Sequence, residues 1–426
     1  MKNYKLKKIF IYANNVCERR RLDIRQIANY FTKNGYQIIT NPRKAHIIIL
    51  STCGADDSLA KYHLDNINTF RKYHADLIVA GCVPETDKEK FEKIYDGKFI
   101  TTKNLEKINT YFPDNKIKFN EIEECNQPWI TVDESKINNV FKKLFMSSVI
   151  IKKFYVGFLD FLLKKFLNEN HLLLDNFLDL PFDDFYTIRI SEGCLGNCSY
   201  CAIKRALGKF KSKPFNQCIT EFKKGLDDGF SNFIVTADDT GAYGKDIGKS
   251  FVDLLDELTK IKGNFSIRIL EMNPVWLIQQ IDSFEKIIKR GKIKAINVPI
   301  QSGSNRILKL MHRYSNSEKI KETLIRLKKA HPDLAIGTHL IVGFPTETEE
   351  EFKETLQLIK KTKIDIGLLI PISIKKDTVA KNIEPKITQN EISRRLRYGK
   401  KYLNQLGYTT FSKGLIIFGK NMNNFR

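Results

Sequence analysis

The chain has 426 residues, 42% of them hydrophobic, and carries a formal net charge of +22. That length allows two or three domains, and that apolar content is ordinary for a soluble protein with a substantial core. The N-terminal MKNYKLKKIF has no apolar h-region, and no apolar run reaches bilayer length, so neither a secretory signal nor a membrane span is expected, and the expected location is cytoplasmic. A positive surplus of this size attracts polyanions by long-range steering and counterion release. RNA is the expected partner, against the blander reading of lysines spread over solvated faces.

Residues 1–119 alternate short apolar runs with helical patterns. KIFIYA (8–13), YQIIT (36–40), HIIIL (46–50), DLIVAGC (76–82) and KFIT (98–101) read as strands, and 18–34, 58–74 and 87–95 as helices. Continuous apolar strands separated by helices predict a parallel α/β sheet. Gly35 stands where a helix C-cap belongs. Cys17, Cys53 and Cys82 each follow a strand. Ligands collect beyond the carboxyl ends of parallel strands, so these three cysteines are expected to converge on one sheet edge, as a metal site requires.

Residues 120–183 break the pattern and read as a helical insertion or linker, with aromatic-rich amphipathic helices over 140–170 expected to dock on the core. Alternation resumes over 184–385. Strand candidates are 185–190, 233–237, 265–270, 295–300, 334–342 and 365–373; helices are expected at 216–229, 248–262, 274–290, 317–330 and 347–363. Six βα units predict a partial barrel whose catalytic loops sit at the carboxyl ends of the strands. The fold class is therefore α/β: a parallel α/β domain followed by a partial (β/α)6 barrel. Residues 386–426 read as a basic helical tail ending in a short apolar run, GLIIFG.

The first barrel loop reads SEGCLGNCSYCAIKRALG, placing Cys194, Cys198 and Cys201 at Cys-x3-Cys-x2-Cys spacing. Eight cysteines in a reducing compartment argue for metal or redox chemistry over disulfides. Three thiolates on a compact loop ligate three irons of a [4Fe–4S] cubane and leave the fourth iron open. S-adenosylmethionine (SAM) chelating that iron would be cleaved to a 5′-deoxyadenosyl radical. A structural zinc loop would need a fourth Cys or His nearby, and none follows. Gly193 and Gly196 let the backbone turn around the cluster, and Tyr200 stands where an aromatic ring would lie against the adenine.

At these residues the chain resembles the radical SAM superfamily and, more narrowly, the methylthiotransferase family over roughly residues 1–385. Cys17 with Gly35-Tyr36, Ser51-Thr52-Cys53 and Ala80-Gly81-Cys82-Val83-Pro84 resemble the family's three dispersed cysteine motifs. Val298-Pro299-Ile300-Gln301-Ser302-Gly303-Ser304, Met311 with Arg313, and Ile341-Val342-Gly343-Phe344-Pro345 with Glu347-Thr348 are similar to signatures of its radical domain. Asp239-Thr240-Gly241-Ala242-Tyr243-Gly244, with Asp246-Ile247-Gly248, Arg268 and Asn273-Pro274, resembles the branch that modifies threonylcarbamoyladenosine beside the tRNA anticodon. Three motifs depart from the family's: Val16-Cys17-Glu18-Arg19-Arg20 for Gly-Cys-x-x-Asn, Thr338-His339 for Thr-Asp, and Lys375-Lys376-Asp377-Thr378 for Arg-x-Gly-Thr.

The resemblance implies a second [4Fe–4S] cluster on Cys17, Cys53 and Cys82, which carries the sulfur to be inserted. One SAM methylates that sulfur; a second supplies the radical that takes hydrogen from an unreactive carbon, C2 of adenine if tRNA is the substrate. It also implies a reducing partner such as flavodoxin or ferredoxin. No TRAM-type RNA-binding module is expected at the end of the chain, and a peptide or protein substrate is the alternative reading.

Asp238 and Asp239 follow a barrel strand and are candidates for the SAM amino group, against a helix-capping role. Gln301 and Ser302 also end a strand and are candidates for SAM or substrate contact. Lys204 and Arg205 follow the cysteine loop and could meet a phosphate or carboxylate. Cys125 and Cys218 read as small buried hydrophobes, and His339 as a satisfied core histidine.

Overall fold

The computed structural model describes residues 7–129, 185–412 and 414–420. The aromatic segment 140–170, and with it most of the insertion, lies outside the described residues.

The N-terminal sheet comprises β1 (Lys8–Tyr12), β2 (Gln37–Ile39), β3 (Ile47–Thr52), β4 (Asp76–Gly81) and β5 (Lys98–Thr101), in the order β2-β1-β3-β4-β5. All pairings are parallel. Isoleucine-rich β3 is buried along its whole length because apolar layers cover both faces of the sheet. On one side α1 (Glu18–Lys33) contributes Ile24, Ile27, Tyr30 and Phe31 to a core shared with Trp129. On the other, Ile67 and Phe70 of α2 (Asp57–Phe70) meet Phe91. The helix expected over 87–95 begins earlier and is divided into α3 (Val83–Thr86) and α4 (Lys88–Glu92). The break is Asp87, non-helical at φ −130°, ψ 40°, whose carboxylate is drawn to Lys375.

The larger sheet contains β6 (Phe185–Arg189), β9 (Asn232–Thr236), β10 (Ser266–Ile269), β11 (Ile293–Asn297), β12 (Ala335–Val342) and β13 (Ile366–Pro371), all parallel, with a two-residue ribbon β7/β8 (Ser191–Glu192, Lys211–Ser212) at the mouth. Outer helices include α5 (Phe215–Asp227), α6 (Phe251–Lys260), α7 (Pro274–Gln279), α8 (Ile281–Ile288), α9 (Ser317–Ala330) and α10 (Glu349–Thr362). The strand expected over 295–300 stops at Asn297: Pro299 has no N–H to donate, and the chain rejoins the sheet only by a bridge from Gln301 to Leu340. The helix expected over 274–290 is interrupted at Gln280.

The C-terminal segment extends this same sheet. After α11 (Gln389–Gln405), β14 (Thr409–Ser412) and β15 (Ile416–Gly419) form an antiparallel hairpin, and β15 pairs with β13. The apolar run GLIIFG is thus an inner strand of the barrel sheet, held between β13 and β14, with Ile416, Ile417 and Phe418 buried.

Buried polar contacts join the two sheets. Asn126 caps the free edge of β6: its carbonyl accepts from Thr187 N at 2.7 Å, and its Nδ2 donates to Thr187 O at 3.0 Å. Arg189 of β6 reaches Asp23 of α1 at 2.5 Å, and Lys375, 4% exposed, lies 2.8 Å from Asp87 and 3.0 Å from Asp57.

Candidate active site

Parallel pairing brings the carboxyl ends of β1, β3 and β4 side by side, and Cys17, Cys53 and Cys82 follow these three ends. Cys17 is the residue before α1, Cys53 directly follows Thr52, and Cys82 directly follows Gly81. Cys53 lies within electrostatic reach of both Cys17 and Cys82. Two glycines allow the approach. A Cβ on Gly81, at φ +108°, would fall 2.3 Å from Thr52 O, and one on Gly54 1.8 Å from Thr86 Oγ1.

The second set lies at the barrel mouth. Cys194, Cys198 and Cys201 occupy the loop after β7, and Cys194 senses the charge of both others. Gly193 turns this loop at φ +75°, where a Cβ would meet Phe210 N at 2.8 Å and Gly208 O at 2.9 Å. At Gly196 a Cβ would press on Cys194 Sγ at 3.2 Å. His312 Nδ1 bonds with Asn197 O, and Ser199 Oγ donates to Leu310 O, fastening the loop to the segment after β11.

Burial raises the thiol pKa of Cys53, of Cys82 to about 12, and of Cys194 to about 12. Desolvation penalises the thiolate, and neighbouring thiolates add to the penalty. The thiols of Cys53, Cys82 and Cys194 are therefore held in the protonated form. Among the described residues no three His, Cys, Asp or Glu side chains converge closely enough to hold a single ion. Arg313 supplies a cation to the second set: Nη1 donates to Cys198 Sγ at 3.6 Å and Nη2 to Pro299 O at 2.5 Å.

The two sets face each other across one carboxylate. Arg19, two residues beyond Cys17, places Nε 3.0 Å from Asp238 Oδ1, while Asp238 Oδ2 accepts the N–H of Gly193 at 3.2 Å. Arg20, 5% exposed, lies beside Asp23 at 3.2 Å and is felt by Cys82 and Cys17. Arg20 stands where the family motif has Asn and Arg19 at the unspecified position before it, and only the fold shows that Arg19 reaches the barrel.

The remaining candidates separate into groups. Asp239 accepts Trp276 Nε1 at 2.9 Å and lies 3.7 Å from Cys194 Sγ, so it lines the mouth. Tyr200 packs with Ile307, Met311, Ile341 and Phe344. Gln301 takes φ +81° and is held by backbone bonds to His339 and Ile341. Ser302 is fully buried and turns toward α10: its Oγ accepts from Ser304 N and lies 3.4 Å from Thr355 Oγ1. Lys204 donates to Gly196 O, and Arg205 to Lys376 O and Thr86 O, so backbone carbonyls occupy both cations. Cys218 is buried, with Sγ 3.6 Å from Tyr243 OH, and Cys125 Sγ accepts from Asn29 Nδ2 at 3.1 Å.

Buried polar atoms at the mouth lack hydrogen-bond partners within the chain: Ser191 Oγ, Thr236 Oγ1, Thr240 Oγ1 and Asn297 Oδ1. All lie at or just beyond strand ends. An orphaned buried polar atom costs about 1–3 kcal/mol. Four of them in one mouth fit a polar ligand such as SAM or a nucleoside.

The radical SAM superfamily matches residues 188–359, and the Uncharacterized protein family UPF0004 matches residues 11–101. A probable threonylcarbamoyladenosine tRNA methylthiotransferase of Methanocaldococcus jannaschii is 30% identical over 399 residues, 92% of this chain and 83% of that protein. This chain belongs to the radical SAM methylthiotransferase family. A second relative of the methylthiotransferase is ribosomal protein uS12 methylthiotransferase RimO of Carboxydothermus hydrogenoformans, 29% identical over 388 residues, 89% of this chain and 78% of that one. Among solved structures, the radical SAM methyltransferase TsrM from Kitasatospora setae superposes with a TM-score of 0.56 over 85% of this chain and 72% of that chain, at 10% identity. That likeness speaks for the fold alone. The enzyme uses SAM and a [4Fe–4S] cluster, as its superfamily does. Among the described residues no helix is long and apolar enough to cross a membrane.

Proposed function

We propose that this methylthiotransferase modifies tRNA, placing a methylthio group on C2 of the adenine in threonylcarbamoyladenosine. The observation that carries the reading is the similarity to the Methanocaldococcus jannaschii protein of that name along 92% of this chain. The net charge of +22 supports a polyanionic substrate.

In this reading Cys194, Cys198 and Cys201 hold the cluster that binds SAM, and Cys17, Cys53 and Cys82 hold a second [4Fe–4S] cluster. When bound, these groups supply the reducing electron, the radical and the sulfur. The chain's own residues do the positioning. Gly193 and Gly196 let the cysteine loop close tightly. Arg313 offers its N–H to Cys198. Asp239, fixed by Trp276, stands beside Cys194 as a polar wall for SAM. Arg19 and Asp238 set how far apart the two cysteine sets lie. The adenine must leave its stack to reach the mouth, at a cost of a few kcal/mol that is least in a single-stranded loop. A ferredoxin or flavodoxin is the proposed reductant, and the cytoplasm the proposed location.

A protein substrate is the second reading, favoured by the 29% identity to the RimO of Carboxydothermus hydrogenoformans. One experiment separates the two. The reconstituted enzyme is reduced with SAM and a sulfide source in the presence of tRNA carrying threonylcarbamoyladenosine, or of ribosomal protein uS12. Nucleoside and peptide mass spectrometry then reads the methylthio increment. An increment on the nucleoside is the expected result. An increment on the peptide alone, or deoxyadenosine with neither product, overturns the tRNA reading.

A further inference from the structure

α11 is a helix of two electrostatic halves. In the first turns every arginine with a carboxylate in reach is neutralised. Arg394 pairs with Glu391 and Glu349, and buried Arg395 with Glu347 and Glu391. In the second half Arg397, Lys400 and Lys401 have no carboxylate within ion-pair distance among the described residues. With Asn404 and Gln405 they line an open hollow of about 470 Å³. Helical spacing places these residues on one outward strip, because the opposite positions, Ile392, Gly399 and Leu403, are buried. Tyr398 and Tyr402 flank the strip as a stacked pair, with centroids 6.5 Å apart and planes at 13°, and Tyr398 is 40% exposed.

The helix also has a direction relative to the mouth. Its first turns are bonded through Arg395 to Glu347, in the loop just after the carboxyl end of β12. Beyond its last turn, Tyr408 OH donates to Ile364 O, just before the amino end of β13. Seventeen residues span about 25 Å. The un-neutralised strip therefore begins at the barrel's flank below the mouth and runs away from it.

We propose that the second half of α11 is a docking surface for the phosphodiester backbone of the RNA substrate. Arg397, Lys400 and Lys401 contact phosphates, and the exposed ring of Tyr398 offers a stacking face for a ribose or an unpaired base. The proposal rests on the tRNA reading above. Three cations with no carboxylate in ion-pair reach among the described residues, beside an open hollow and a stacked aromatic pair, suit a nucleic acid. A lipid surface would need an apolar helix face that this strip does not offer.

The test compares the reconstituted enzyme with the R397E/K400E/K401E variant in tRNA binding by fluorescence anisotropy, between 50 and 300 mM KCl. The expected result is at least tenfold weaker binding at low salt. The slope of log K against log salt should shrink by about two to three, as the loss of three phosphate contacts predicts. Deoxyadenosine formation without RNA and the thermal unfolding midpoint should stay unchanged. The neutral R397Q/K400Q/K401Q variant, which avoids like-charge repulsion along the helix, should show the same shrinkage of slope. Equal affinity and equal slope in both variants overturn the proposal, as does undiminished tRNA binding together with lost binding of ribosomal protein uS12. Absence of salt-dependent tRNA binding by the unmodified enzyme would instead strike the tRNA reading itself, and the docking surface would fall with it.

Discussion

Arg19 and Asp238 form a 3.0 Å ion pair across the junction of the two sheets, and Asp238 simultaneously accepts the N–H of Gly193. One residue separates Arg19 from Cys17, and none separates Gly193 from Cys194. A single carboxylate therefore ties the two cysteine loops together. If the pair sets their separation, Arg19→Met should leave SAM cleavage nearly intact and impair methylthio transfer. The ratio of deoxyadenosine to methylthio product is expected to rise by roughly tenfold to a hundredfold, the penalty typical of a displacement of about 1 Å. Arg19→Lys should recover part of the coupling. A ratio unchanged in Arg19→Met would remove the pair from the mechanism.

Arg313 faces Cys198 with a charge-assisted hydrogen bond. Positive charge beside a ligand sulfur stabilises the reduced cluster. Losing a bond worth about 1.5 kcal/mol lowers a one-electron potential by roughly 60 mV. Arg313→Met is expected to shift the midpoint of the SAM-binding cluster downward by that order, read by EPR-monitored redox titration, with little change in iron content. An unmoved midpoint would mean that the arginine acts only in packing the loop.

The cysteine sets should be separable by composition. Replacing Cys17, Cys53 and Cys82 with alanine is expected to take iron from about eight to about four per chain. Deoxyadenosine formation should persist and methylthio transfer should stop. Retention of about eight irons would show that the second cluster sits elsewhere.

His63 is fully buried in α2, with Nε2 3.2 Å from Asn15 O in the loop that leads to Cys17. Desolvation lowers its pKa from 6.5 to about 4. The folded state holds the ring neutral while the unfolded chain takes up a proton below pH 6.5, so stability is complete above that pH and is lost as pH falls toward 4. The contribution is roughly 3 kcal/mol. In urea unfolding of the metal-free protein, His63→Gln should lose less stability than the unmodified chain between pH 7 and pH 4, by about that amount. Parallel pH profiles would contradict the assignment.

Glu347 and Arg395 form a buried pair, with Glu347 also accepting the N–H of Gly343 at 2.8 Å. Arg395→Met strands a buried carboxylate. A cost of about 3–5 kcal/mol is expected in denaturant unfolding, and a loss below about 1 kcal/mol, the scale of an exposed ion pair, would show that the carboxylate finds another partner.

Much of this fold was readable in order along the chain, because each element's signal is local. Apolar runs of five or six residues mark the parallel strands, and β5 and α9 fall where the periodicity places them. The Cys-x3-Cys-x2-Cys spacing is likewise a property of eight consecutive residues. Even the meeting of Cys17, Cys53 and Cys82 follows from sequence, since parallel strands put all their carboxyl ends on one edge.

What tertiary structure alone decided is the partner of each buried charge and the place of the last strand pair. The run GLIIFG has no local feature that distinguishes a loose tail from a strand, and only pairing with β13 makes it part of the barrel. Lys375 lies in a motif that departs from its family, and the fold shows it buried between Asp87 and Asp57. Ser302 reads in the sequence as a strand end where a ligand-binding residue would sit, but the strand stops at Asn297 and packing against α10 turns Ser302 inward. Arg19 and Asp238 are 219 positions apart, and no periodicity links them. The physical reason is the same in each case: hydrophobic periodicity reports which face of an element is buried, whereas the partner of a buried charge is set by how whole domains pack.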